Sequence, residues 1–345
     1  MAFYLFVLYF ENLSGFRRVC NLEAIEETPI KKMNMDRFHS AASLFRDCND
    51  AGLSVGRRAF LSLLVSLFAA ACAPPSGRTG TTGGIVVLDW ALAETLVALG
   101  HIPAGVVAAS DWSRFVVDPP LPEQVADLGL QQELNFELIA SMRPDLILIS
   151  PFLARLEPQL KRIAPTRNLS VYDPGEAVLA RRIQIVKELA ALVGATARAQ
   201  TWLAQVEAEL QRGSERLARL QKRPVVMASF VDNRHVRVYG GNSLYAEVLT
   251  RLGSRNGWTD EVGYFGFSTV GIERLARLGD IEFVAVEPVP ADIARALGQS
   301  PLWQQLPFVQ RKQHGTIAPV FMYGGIPSAR RMASLLTPYL ESRWT

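Results

Sequence analysis

From residue 176 to 222 the chain carries no proline and repeats apolar residues at helical spacing, as in Trp202, Val206, Leu210, Leu217 and Leu220. That spacing lays one apolar stripe along a helix. A helix is therefore expected to about Val193 and a second, long one from about Thr196 to Gln221, stopped before Pro224, with Gly194 and Gly213 as punctuation. On either side, short apolar runs alternate with helical patterns. Before the stretch come strand-like runs at 85–88, 105–108 and 145–150 and helical ones at 91–99 and 136–142. After it, strand signals resume at 225–230, 236–239, 281–286 and 316–320, with helices near 244–252, 272–278 and 328–339. This order reads as βα units on parallel sheets. The simplest architecture is α/β: two lobes, residues 85–195 and 223–345, joined by one long helix at 196–222.

A chain of 345 residues, 49% hydrophobic and 20% charged, has the length for two domains and the balance of a folded globular protein. The net charge is only +3, and no run of five or more Lys/Arg occurs, so nothing indicates a nucleic-acid partner. Cys20, Cys48 and Cys72 all precede the region that reads as folded. A large domain without cysteines is compatible with an oxidising compartment, because disulfides are needed chiefly where the core is too small.

The segment ahead of the folded region looks like an address. Arg57-Arg58-Ala59-Phe60-Leu61 opens an apolar run over residues 59–71, whose 13 residues are too few to span a bilayer, and then Cys72-Ala-Pro-Pro follows. The paired arginines with Phe-Leu resemble a twin-arginine export signal. Ala69-Ala70-Ala71-Cys72 fits two processing routes: lipidation of Cys72 as the first mature residue, or cleavage after an Ala-x-Ala site. Residues 1–50 do not suit a signal at 51–72 and read as a misplaced start or a disordered extension. Residues 73–84, rich in Gly, Ser and Thr, form a flexible tether.

Motifs for chemistry are scarce. His39, His101, His235 and His314 are scattered, and there is no HExxH, CxxC, Walker loop, nucleophile elbow or Gly-x-Gly-x-x-Gly after a strand. No metal site, cofactor or catalytic residue is expected. Tyr239-Gly240-Gly241-Asn242-Ser243 lacks the lysine of a phosphate loop and reads as a Ser/Asn helix cap.

From Ile85 to the C-terminus the ordered segments resemble the periplasmic ferric-hydroxamate siderophore binding proteins of the FhuD type, the class III group whose lobes share a helical backbone. The strings that carry the resemblance are Leu88-Asp89-Trp90 with Glu94-Thr-Leu-Val-Ala-Leu-Gly100, Pro119-Pro-Leu-Pro122 with Asp127-Leu-Gly129, and Asn135-Phe-Glu137-Leu. Further along stand Arg162-Ile-Ala-Pro165, Tyr239-Gly-x-Asn242-Ser-Leu244, Pro301-Leu-Trp303-x-x-Leu-Pro-Phe-Val309 and Tyr323-Gly324. None is diagnostic alone; their order and spacing are specific together.

The resemblance implies a monomeric binding protein without enzymatic activity. Its cargo would be a ferric siderophore, and its partners an ABC permease with its ATPase and, upstream, a TonB-dependent receptor. It implies a shallow cleft lined here by Trp90, Arg114, Phe115, Gln131, Leu153, Phe265, Phe321 and Tyr323, with Ile149 and Trp258 at further cleft positions. Gln131 stands where the family has an arginine; Arg114 and Arg155 lie in neighbouring loops. Trp202 and Trp303 read as core, and Trp90 as core or cleft. Glu157 and Glu273, one per lobe, match the carboxylates with which the family docks on its permease. The rival readings are haem or a corrinoid as ligand, with Tyr264 or Tyr323 axial, and an exported α/β enzyme using His235 or His314 as base. If Cys72 carries the lipid, Cys72→Ser releases the protein from the membrane fraction, which fractionation followed by immunoblotting would register.

Overall fold

The structure, a computed structural model, describes residues 83–172 and 177–344. The extension, the export signal with Cys72, and all but the last two residues of the tether lie outside the described residues. Among those described, no helix is long and apolar enough to cross a membrane.

The first lobe contains β1 (Ile85–Val87), β2 (Gly105–Val106), β3 (Ala126–Asp127), a small hairpin of β4 (Gly129–Leu130) and β5 (Glu133–Leu134), then β6 (Leu146–Ile149) and β7 (Thr166–Asn168). Apart from the hairpin, these strands form one all-parallel sheet in the order β3-β2-β1-β6-β7. β1 is buried throughout and β6 nearly so, as continuous apolar runs between two helical layers should be. Helix α1 (Trp90–Ala98) starts directly after β1 because Asp89 caps it, accepting from the amides of Ala91 and Leu92 at 2.9 and 3.2 Å. Asn135 caps α2 (Phe136–Ser141) in the same way. The proline-free stretch forms α3 (Val178–Leu192) and α4 (Thr196–Ala218).

The second lobe holds β8 (Val225–Phe230), β9 (His235–Tyr239), β10 (Phe267–Gly271), β11 (Glu282–Val286) and β12 (His314–Ile317), in the order β10-β9-β8-β11-β12. Its main helices are α5 (Leu244–Arg251), α6 (Ala291–Gln299) and α7 (Ile326–Trp344). The expectation of purely parallel sheets fails here: β9 runs antiparallel to both β8 and β10. The cause is the short β8–β9 link, where Asp232 accepts from the amides of Arg234 and His235 and folds the chain into a hairpin too brief for a crossover. One sheet face, with Val226, Ala228, Phe230, Val236, Val238 and Phe283, packs against Trp303 and Phe308. Trp303 is core as expected. Trp258 is core too, 4% exposed beside Ile272 and Leu275, and not a cleft residue. Trp202, in turn, is only part-buried on α4.

Gly213 does not interrupt α4. A Cβ there would come within 2.7 Å of Leu252 Cδ2 and 2.9 Å of Thr337 Oγ1, so the glycine lets α4 close on α7. Helix α7 also touches α1 and α3, so two helices tie the lobes together, and both sheets belong to one compact unit.

The tightest polar tie is buried. Glu94 on α1, with no exposed surface, takes the amide of Gly325 on one carboxyl oxygen and Ser328 Oγ at 2.7 Å on the other. Arg182 on α3 sends Nε to the Gly324 carbonyl at 2.7 Å and Nη1 to the carbonyls of Val178 and Val171. The chain passes between them only because residue 324 is glycine: a Cβ would sit 2.1 Å from Ser328 Oγ and 2.9 Å from Glu94 Oε1.

Burial lifts the Glu94 carboxyl from 4.5 to about 8, against the opposing pull of Ser328, Gly325 and, through space, Arg182. The folded protein therefore holds a proton that the unfolded chain releases above pH 4.5. Stability falls as pH rises from about 4.5 to about 8, by roughly 1.4 kcal/mol per pH unit at the steepest, and is flat in this term on either side. Glu94→Gln keeps an acceptor for Gly325 and offers a donor to Ser328. Its denaturant midpoint should lose this slope, with its advantage over wild type growing between pH 5 and pH 8.

Candidate ligand-binding site

Every first-lobe aromatic at the site follows the carboxyl end of a strand of the parallel sheet, where open α/β sheets place their ligands. Trp90 comes after β1, the helical turn Trp112–Phe115 after β2, Phe152 after β6 in the turn Pro151–Leu156, and Tyr172 after β7. The second lobe contributes Tyr264 and Phe265 from the loop before β10, Phe267 at its start, and Phe321 and Tyr323 after β12.

These rings form one continuous belt. Trp90 lies 6.1 Å from Trp112, 6.2 Å from Phe115 and, across the lobe boundary, 5.3 Å from Phe321. Phe321 leads to Tyr323 at 5.8 Å, and Tyr323 to Phe265 at 5.7 Å. Phe265 then meets the first lobe again at Phe152 (5.3 Å) and Tyr172 (5.4 Å). Gly266 fixes that loop: its φ is +78°, and a Cβ would strike the Ser243 backbone at 2.5 Å. The backbone next to Phe265 is thereby packed on the start of α5.

The belt has a buried layer and an open one. Trp90 and Phe321 are 3% and 7% exposed, and the indole N–H groups of Trp90 and Trp112 are taken by the carbonyls of Val107 (2.6 Å) and Pro119 (2.8 Å). Those indoles back the wall and keep no spare donor. Phe115, Phe152, Tyr172, Phe265 and Tyr323 are part-exposed, and Tyr264 is 53% exposed. Rings in this edge-on arrangement offer apolar faces with few polar handles.

Of the residues expected from the sequence, Trp90, Phe115, Phe265, Phe321 and Tyr323 are brought together. Gln131, between β4 and β5, sends Nε2 towards the Leu88 carbonyl at 3.4 Å, beside the end of β1. Arg114 is exposed, its guanidinium 5.1 Å from the Phe115 ring. Leu153 is buried, and so is Ile149 at the end of β6. Phe152 and Tyr172 were missed; Phe152, next to Pro151, and Tyr172, ahead of Pro174-Gly175, lack the glycines on both sides that marked Phe265. Arg182, also missed, lies 5.0 Å from the Tyr172 ring. Burial raises the Tyr172 hydroxyl to about 12 despite that cation, so it stays a neutral donor, and burial likewise pulls Arg182 downward.

His235 is exposed on the β8–β9 hairpin with Nδ1 2.9 Å from Asp232, while burial lowers both His101 and His314. Among the described residues no group of three His, Cys, Asp or Glu side chains could hold a metal ion. Glu157 is engaged by Lys161 at 2.7 Å, which also holds its carboxyl below the usual range; Glu273 is exposed on the turn Ile272–Arg277 of the other lobe.

The periplasmic binding protein family model matches residues 85–319, from β1 to just past β12. The chain belongs to that family. It is 34% identical over 252 residues to the iron(3+)-hydroxamate-binding protein FhuD of Escherichia coli K12, covering 73% of this chain and 85% of the relative. The Fe(3+) dicitrate-binding periplasmic protein FecB of the same organism is 25% identical, over 68% of this chain and 76% of its own. Among solved structures, FhuD of Vibrio cholerae bound to Fe3+-Desferal superposes with a TM-score of 0.70 at 31% identity, spanning 76% of this chain and 99% of that one. The fold is thus that of the class III binding proteins, with α4 as the long helix between the sheets.

Proposed function

We propose that this protein is the extracytoplasmic substrate-binding component of an ABC importer, taking a ferric hydroxamate siderophore between its lobes and delivering it to a permease with its ATPase. The observation that carries this reading is the aromatic belt that crosses the lobe boundary at Trp90–Phe321, Phe152–Phe265 and Tyr172–Phe265. A ferric hydroxamate fills its iron's coordination sphere with its own oxygens. Its binder needs apolar walls and a few donors, and no metal ligands. The relatives named for iron(3+)-hydroxamate and Fe3+-Desferal support the same ligand class. The iron complex is cargo, and binding it calls for no catalytic group. The buried tie of α1 and α3 to residues 324–328 favours small lobe movements over wide opening.

In this reading the ligand-facing residues are Phe115, Gln131, Phe265 and Tyr323, with Phe152 and Tyr172 added, over a backing of Trp90, Leu153 and Phe321. Arg114 lies at the rim. The mature protein works as a monomer in the periplasm, held at the membrane through Cys72 and supplied by a TonB-dependent receptor.

Titration of the domain from residue 84 onward, followed by tryptophan fluorescence, tests the ligand class. Ferrichrome or ferrioxamine B should quench saturably at submicromolar concentration; quenching by haem or cobalamin alone would move the cargo and leave the transport role. Glu157 and Glu273 are proposed to dock on permease arginines. Glu157→Ala with Glu273→Ala should then cut siderophore uptake roughly tenfold or more while leaving ligand affinity unchanged, and unaltered uptake would remove them from the docking surface.

A further inference from the structure

Arg237 sits in the middle of β9, paired with Ser229 on β8 and Thr269 on β10. Its neighbours Val236 and Val238 point into the second lobe's core, so Arg237 and Tyr239 share the opposite face. The segment after β12 crosses that face, where Tyr245 donates to the Val320 carbonyl at 2.6 Å. There Met322 Sδ receives Tyr239 Oη at 3.3 Å and Arg237 Nη1 at 3.7 Å. The Arg237 guanidinium lies 4.4 Å from the Phe267 ring, and Phe267 is 6.3 Å from Tyr323 and 6.5 Å from Phe265. The cation stands directly behind the open layer of the belt.

Its environment is unbalanced. Arg237 is 6% exposed, its Nε has no hydrogen-bond partner, and among the described residues no carboxylate lies within ion-pair distance of it. The other buried arginine, Arg182, gives Nε and Nη1 to three main-chain carbonyls and leaves Nη2 without a partner, whereas Arg237 has a long contact to a sulfur. A buried guanidinium without an anion is costly, and a thioether is a weak acceptor for it. Met322 is part-exposed, unbranched and flexible, so a ligand oxygen can replace its sulfur on two good donors at once. On the first lobe, the polar side chains of the proposed ligand wall are the neutral Gln131 and Tyr172, with Arg114 exposed at the rim.

Resting on the siderophore reading above, we infer that Arg237, with the Tyr239 hydroxyl beside it, is the charged subsite of the cleft and takes a carboxylate of the cargo. The preferred ligand is then a net anionic ferric complex that carries carboxylate besides hydroxamate. Met322 is the plug that such a carboxylate displaces.

The probes are ferric aerobactin, an anionic citrate-based dihydroxamate, neutral ferrichrome and cationic ferrioxamine B, titrated against wild type, Arg237→Leu and Arg237→Lys. Wild type should bind the anionic complex at least tenfold more tightly than ferrioxamine B. Arg237→Leu should lose affinity for it by at least tenfold more than for ferrichrome, and Arg237→Lys should recover part of the difference. Equal losses on both ligands, or none, would overturn the subsite and leave siderophore binding in place. Should the leucine variant fail to fold, the wild-type comparison decides by itself: no preference for the anionic complex overturns the inference. Wild type binding none of the three would overturn the siderophore reading, and this inference with it.

Discussion

The contact on which the geometry of this molecule turns is the passage of residues 324 and 325 between Glu94 and Arg182. A carboxyl from the first helix receives the Gly325 amide and the Ser328 hydroxyl at the start of the last helix, while a guanidinium from α3 takes the Gly324 carbonyl. All of these groups are buried, so leaving the bonds between them unmade would be costly, and the register between the lobes is fixed by that cost. The segment so pinned continues directly from Phe321, Met322 and Tyr323. The same few residues therefore lock the lobes and present the second lobe's share of the ligand wall.

Two consequences follow for binding. Because α4 and α7 both reach across the lobes, capture relies on a surface formed in advance, and little ordering is required when a bulky ligand arrives. The polar layer behind that surface is asymmetric as well. Behind Tyr172 of the first lobe lies Arg182, engaged mainly by main-chain carbonyls, whereas Arg237 of the second lobe is met by a thioether and, among the described residues, has no carboxylate within ion-pair distance. In the proposed reading, apolar rings set the size and shape that fit, and the Arg237 charge behind them selects among complexes of that size.

Much of the fold was legible because its signals are periodic. Leu-Ile-Leu-Ile at 146–149 and Val-Val-Met-Ala at 225–228 have the unbroken apolar character of strands covered on both faces, and the proline-free stretch gave its two helices to within a few residues. The chain was harder to read where pairing outweighs periodicity. Phe-Ser-Thr-Val-Gly at 267–271 is too short and polar to declare itself a strand, and forms one because β9 offers it an edge. Gly213 lies inside the helix the pattern predicts, and its reason, a close approach of Leu252 and Thr337, exists only in the folded molecule. Trp258 looked like a cleft residue and is core, in one buried cluster with Ile272 and Leu275 and under the Arg277 guanidinium.

By itself, the sequence determined the class of the protein, α/β lobes around a long helix, and it shows neither metal-ligand spacing nor a catalytic motif. These are properties of local pattern and order along the chain. Only the tertiary structure decided which aromatics share one surface, that Phe152 and Tyr172 belong to it, that Glu94 is a buried tie, and that Arg237 has no carboxylate within ion-pair distance among the described residues. Each depends on residues far apart in sequence meeting where water is excluded, and neither burial nor the absence of a partner is written in the spacing of residues along a chain.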